Sequence, residues 1–148
     1  MSSSPQGLAA LDPILGRWKS SGTVLDAHGS FETHVDGTDT YRSLPGGHWI
    51  AHDVDVVIGG EQMLAHELIG GEHPDGGWLM VAFDESSQPG TMRLSLSEPD
   101  LLLLEGEGVR SWFRFTAGDD HMTTLWERLH EGEWIAWMDM RFDRMANP

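Results

Sequence analysis

HDVDVVIGGEQMLAHEL, His52–Leu68, consists of two alternating runs that meet at Gly59-Gly60. Alternation of apolar and polar residues is the period of a half-buried strand, and a Gly-Gly pair suits the two-residue turn of a β-hairpin. Such a turn pairs Ile58 with Glu61. Side chains alternate along a strand, so Ile50, His52, Val54 and Val56 share a face with Met63, Ala65, Glu67 and Ile69. His52 and Glu67 fall directly opposite each other on that otherwise apolar face, with Cβ atoms about 4.5–5.5 Å apart. On the other face Asp53 opposes His66, a surface contact worth little. If the Gly-Gly loop were odd in length, one strand would flip and the His–Glu pair would part.

Outward from this hairpin the same pattern repeats. Runs of apolar-rich residues alternate with Gly, Pro and Asp clusters, which predicts strands over Trp18–Leu25, Phe31–Ser43, His48–Ile58, Glu61–Gly70 and Trp78–Asp84. Five more follow at Thr91–Glu98, Leu101–Glu107, Val109–Thr116, Met122–His130 and Glu133–Arg144. Leu8, Leu11, Ile14 and Leu15 recur at helical spacing before Gly16, which predicts one short N-terminal helix. Residues 1–7 read as a loose Ser/Pro-rich tail and residues 8–148 as one domain. Ten short strands with tight connections predict an all-β fold: a single antiparallel up-and-down β-barrel. Closure removes exposed edges, and a barrel of that size leaves room for an internal cavity.

Composition narrows the function classes. Nine basic residues stand against 24 acidic ones, a formal net charge of -15. That surface repels phosphate backbones and anionic lipid heads, so neither nucleic acid nor membrane is expected as a partner. There is no cysteine, hence no disulfide framework and no thiol chemistry. The N-terminal MSSSPQGLAALDPILGRW has no signal-peptide pattern, and LLLL at Leu101–Leu104 is far too short to span a bilayer. A soluble, cytoplasmic protein is expected. The chain holds 18 Gly, 7 Trp and 8 Met, and Trp and Met serve both as pocket walls and as ordinary core.

The parity of the other strands supplies the remaining candidates. On the last strand Trp134, Ala136, Met138, Met140 and Phe142 point one way and are expected inside. A two-residue turn at Glu131-Gly132 then places Leu125, Glu127 and Leu129 inside as well, and sets Trp126 beside Trp137 as an outer aromatic patch. Such a patch suggests a homodimer surface or a cover by the N-terminal helix. Asp39 and Tyr41 share the inner face of the second strand, with Tyr41 approaching His48 across LPGG.

No metal site is expected. His48 and His52 lie four residues apart on one strand, roughly 13 Å, and cannot chelate one ion together. No HExxH, CxxC or GxSxG motif occurs, and GGEHPDGG lacks the Lys-Ser/Thr of a phosphate-binding loop. Arg110 and Arg114 are isolated and form no nucleic-acid stripe.

LGRW, Leu15–Trp18, preceded by a short helix, resembles the opening of the calycin superfamily of lipocalins and fatty-acid-binding proteins. The resemblance implies that Trp18 packs at the closed end against a late arginine, here Arg141 or Arg144. Two stretches, DGTDTYRSLPGGHWIAHDVDVVIGGEQMLAHELIGG (Asp36–Gly71) and VAFDESSQPG (Val81–Gly90), look like the bacterial, lipocalin-like domain-of-unknown-function family 1579. That likeness spans Leu11 to about Phe142 and implies a small barrel with a cavity, but no established reaction. Nitrobindins, a related barrel type, bind haem through a histidine on the last strand. The matching WIAWMDMRFDRMANP has none, leaving only Met138 or Met140 as ligands, so no cofactor is expected.

Two functions follow as expectations. In the first, the barrel binds a small apolar or amphipathic molecule. Val54, Met63, Ile69, Leu125, Trp134, Met138 and Met140 wall it, and Asp39, His48 and Glu127 join His52, Glu67 and Tyr41 at its polar end. In the second, a cofactor-free cyclase, isomerase or hydrolase uses His52 and Glu67 as an acid/base pair, with Tyr41, Asp39 or Glu127 donating a proton. The inner polar residues also fit a plainer role, holding buried water and satisfying one another.

Overall fold

A computed structural model describes residues 7–116 and 118–146; the expected loose tail, apart from Gly7, lies outside the described residues. A short 3₁₀ helix, Leu8–Ile14, leads into ten strands. They are β1 (Gly16–Leu25), β2 (Phe31–Ser43), β3 (Trp49–Ile58), β4 (Glu61–Gly70) and β5 (Trp78–Phe83). The second half holds β6 (Gly90–Glu98), β7 (Leu101–Gly106), β8 (Val109–Arg114), β9 (His121–His130) and β10 (Glu133–Arg144). Each strand pairs antiparallel with the next, and β10 returns to β1, so the sheet is a closed up-and-down barrel. No helix among the described residues is long and apolar enough to cross a membrane.

The β3–β4 hairpin has the expected register. Gly59 and Gly60 both take positive φ, at 58° and 84°, the conformation a two-residue type I′ turn requires. Ile58 pairs with Glu61 and His52 with Glu67, while His66 hydrogen-bonds Asp53 on the outer face.

The β9–β10 hairpin departs from expectation. Its turn pairs His130 with Glu133, as a two-residue loop must. Further along, Ala136 pairs with Glu127 but Met138 pairs with Trp126, and Trp137 is the extra residue of a β-bulge. A bulge inverts parity beyond it. Met138, Met140 and Phe142 face inward, as expected, but between the bulge and the turn the inner set is Trp137 and Trp126. Leu125, Glu127 and Trp134 therefore lie on the outer wall, with Leu125 40% and Trp134 37% exposed. Trp126 and Trp137 meet edge to face inside the barrel, with ring centroids 6.1 Å apart, so the outer aromatic patch argued for a homodimer is not there.

The 3₁₀ helix plugs one end. Leu11, Ile14 and Trp18 are fully or almost fully buried with Met122 and Phe142. The Trp18 indole N–H donates to Ile14 O at 2.9 Å. Arg144 closes the assembly: its guanidinium sits 4.2 Å from the Trp18 ring centroid and donates to Leu15 O (2.8 Å) and Pro13 O (3.1 Å). Arg141 instead pairs with Asp143. Gly16, at φ 125°, passes so near Arg144 that a Cβ there would stand 2.6 Å from its Nη1. Arg144→Ala loses a cation–π contact and two charge-assisted hydrogen bonds, and is expected to cost about 2–3 kcal/mol in urea unfolding, with Arg144→Lys intermediate. A loss below about half a kcal/mol would show that the plug holds without it.

Candidate functional site

Inside the barrel lies a cavity of about 320 Å³. Its walls are apolar: Val54, Met63, Ile69, Met138 and Met140 line it as expected, joined by Trp126 and Trp137. Met63, 39% exposed, lies one residue inside Gln62 at the β3–β4 turn end, away from the helix plug.

One cluster of charge interrupts this surface. β2 and β3 pair Tyr41 with His52, and β3 and β4 pair His52 with Glu67. His52 Nδ1 lies 2.5 Å from Glu67 Oε1 and Nε2 lies 2.7 Å from Asp39 Oδ1. Ser20 on β1 donates its hydroxyl to the other Asp39 oxygen, Oδ2. The Tyr41 ring stacks on the imidazole at a centroid distance of 3.9 Å and an angle of 12°. The cluster is a four-member chain, Ser20–Asp39–His52–Glu67, with an aromatic lid.

Both imidazole nitrogens face carboxylate oxygens, which only accept. Both must therefore donate, and only the imidazolium has two N–H groups. Burial is the largest single influence on His52 and pulls its pKa down; the Glu67 charge, the hydrogen bonds to both carboxylates and the Asp39 charge together outweigh it and push the value up to about 9. Tyr41 is raised well above 10, first by burial and then by the two nearby carboxylates, so its phenol stays protonated. A buried ion cluster is costly unless every member is hydrogen-bonded, and this chain meets that condition at His52 and Asp39.

Asp39, Tyr41, His52 and Glu67 are thus brought together. His48 is not: β3 begins one residue later, and His48 sits exposed in the turn while Tyr41 lies beside His52. Glu127 belongs to an outer cluster, accepting from Arg110 Nε (2.8 Å) and Trp112 Nε1 (3.0 Å). The Arg110 hydrogen bond holds its carboxyl below the usual range; partial burial opposes this and Trp112 adds to it. Trp134 lies under the same guanidinium, 4.2 Å from ring centroid to Cζ. A wider depression of about 660 Å³ on this outer wall includes Arg93 and Arg110, but both are engaged, Arg93 with backbone carbonyls and Arg110 with Glu127.

Three polar residues escaped the hydrophobic pattern: Ser20, Ser111 and Thr124. Ser20 had a signal, since it shares parity with Trp18 on β1. No group of three metal-ligating side chains suited to an ion occurs among the described residues. No protein-family model matches this chain, and no curated protein matches it.

His52 has a folded-state pKa above its unfolded value of 6.5, so its pairing contributes fully below pH 6.5 and is lost as pH rises through about 9. At 1.36 kcal/mol per unit this amounts to roughly 3 kcal/mol. Wild-type protein is expected to lose that stability between those pH values, and His52→Gln to lose much less over the same range. Parallel pH profiles for the two proteins would remove the imidazolium from the account.

Proposed function

We propose that the protein binds a small apolar or amphipathic molecule inside its barrel, as a lipocalin-like, cytoplasmic binding module. One observation carries this reading: an apolar cavity of about 320 Å³, plugged at one end, has a single charged chain set in its wall. Small-molecule sites have this composition, with mostly hydrophobic lining and a few convergent polar groups, and this volume lies at the lower end of their size range. Trp126, Trp137, Met138 and Met140 give the molecule its walls, and Glu67, with Asp39, His52 and Tyr41 behind it, gives it an orientation.

A second reading, cofactor-free acid/base catalysis of a cyclisation, isomerisation or hydrolysis, is favoured by the carboxylate–imidazolium–carboxylate chain itself. The geometry moves the roles within it. His52 has no free lone pair, so Glu67 is the group to accept a proton, His52 steadies the carboxylates, and Tyr41 is the phenol able to donate.

A native mass spectrum of protein purified from cells, beside a denatured one, is expected to show an added mass that denaturation removes. Protein stripped of that molecule should bind the neutral fluorophore phenylnaphthylamine, and Ala65→Phe, which grows into the cavity, should weaken it about tenfold or more. A barrel that is empty by mass and indifferent to the fluorophore sinks the binding reading. Turnover that survives unchanged in Glu67→Gln would sink the catalytic one.

A further inference from the structure

The charged chain leaves two of its polar atoms unspent. Asp39 uses both oxygens, Oδ1 toward His52 and Oδ2 toward Ser20, and both nitrogens of His52 are taken. Glu67 uses Oε1 alone. Its Oε2 and the Tyr41 hydroxyl have no hydrogen-bond partner among the described residues. Elsewhere the unpartnered atoms of buried side chains, Ser111 Oγ, Thr124 Oγ1 and Arg128 Nε, are sealed even from water. Glu67 Oε2 and Tyr41 Oη are not among these, so both stay within reach of a guest, and both residues line the cavity.

The two atoms belong to one imidazole. Glu67 meets its Nδ1 edge, and the Tyr41 ring covers its face. They differ in kind: a carboxylate oxygen only accepts, while the Tyr41 phenol stays protonated and has a hydrogen to give. Polar groups in an apolar wall are costly until they are paired. A hydroxyl answers both, donating to Oε2 and accepting from the phenol. An ammonium has hydrogens for Glu67 but no lone pair for Tyr41, an ether oxygen has the reverse, and a carboxylate meets the charge of Glu67.

The seat lies toward the plugged end. Gly16, which follows the helix and Leu15, pairs with Tyr41, Tyr41 with His52 and His52 with Glu67, and Ile14 of the helix lines the same cavity. From Glu67 the inner face of β4 runs through Ala65 to Met63 near the β3–β4 turn, four residues or about 13 Å along the strand. Everything lining that stretch of β4 and the facing part of β3 is apolar: Val54, Val56, Met63 and Ala65.

We propose that the cavity takes an alcohol, a hydroxyl head on an apolar chain or ring, bound head first: the hydroxyl bridges Glu67 Oε2 and the Tyr41 phenol beside the helix plug, and the apolar part runs toward the β3–β4 turn. This rests on the binding reading above and names the class of molecule that reading leaves open.

Octanol, its isomer heptyl methyl ether, octylamine and octanoate present the four head groups on tails of similar size. By titration calorimetry octanol is expected to bind wild-type protein about tenfold or more tighter than each of the others. Glu67→Gln is the sharper test. Its amide oxygen must take over the bond from His52 Nδ1, which leaves an NH₂ group where Oε2 stood. The seat then offers only donors, so the ether should gain and octanol lose until less than about twofold separates them. Tyr41→Phe keeps the stacked ring and drops the phenol; octanol and the ether should both weaken about three- to tenfold, with the margin between them held. Equal affinities for octanol and the ether in wild type, octylamine or octanoate binding tighter than octanol, or a margin that Glu67→Gln leaves unchanged each overturn the proposal; the first marks a seat kept by internal water. Should Glu67→Gln fail to fold, Tyr41→Phe decides, and unchanged octanol affinity there overturns the proposal. Should phenylnaphthylamine bind while octanol has no margin, the cavity reading survives and the hydroxyl seat falls. Should nothing bind, both fall.

Discussion

The seam between β1 and β10 is the constraint on which everything else in this protein rests. Trp18 to Val24 pair with Arg144 to Met138, and with that ladder closed no strand is left at an edge. A sheet closed in this way has one inside, and every strand must deliver its apolar side chains to it. The Trp18–Arg144 contact stands at the end of this seam, so the lock that brings first and last strands together also fastens the helix over the barrel end.

Closure also explains why the polar interior takes the form of a chain. A carboxylate inside such a wall has no bulk water to turn to, so it needs a charged or donating neighbour. Glu67 and Glu127 show the two available solutions. Glu67 faces inward and shares an imidazolium with Asp39, while Glu127 faces outward and is held by a guanidinium and an indole N–H. Same residue type, opposite sides of one sheet: the difference is decided by strand parity alone.

Parity is also what separated the readable parts of the sequence from the unreadable. Strand positions followed from turn chemistry nearly to the residue, as at Glu61–Gly70. The β3–β4 face was readable because two glycines fix a turn and the alternation around them is clean. At β9–β10 it failed for a specific reason. Apolar residues occupy both parities there, Trp134 and Ala136 on one and Ile135 and Trp137 on the other, and no Gly or Pro marks the bulge. Counting back from Met138 therefore put Leu125, Glu127 and Trp134 inside and the Trp126–Trp137 pair outside. Ser111 and Thr124 were silent because a small hydroxyl contributes little to a hydrophobic pattern, whichever way it faces.

The bulge at Trp137 gives β10 two reading frames in one strand. From Met138 to Phe142 the even positions line the cavity; at the bulge the odd-numbered Trp137 lines it too. Trp126 and Glu127 are consecutive on β9 while their partners Met138 and Ala136 are not, so losing Trp137 would leave the ladder and both faces in register, take one indole out of the wall, and leave the helix-plugged floor, with Trp18 and Arg144, untouched. The strand thus carries a site where an evolving chain can gain or lose a large aromatic piece of its pocket wall without re-registering the sheet around it.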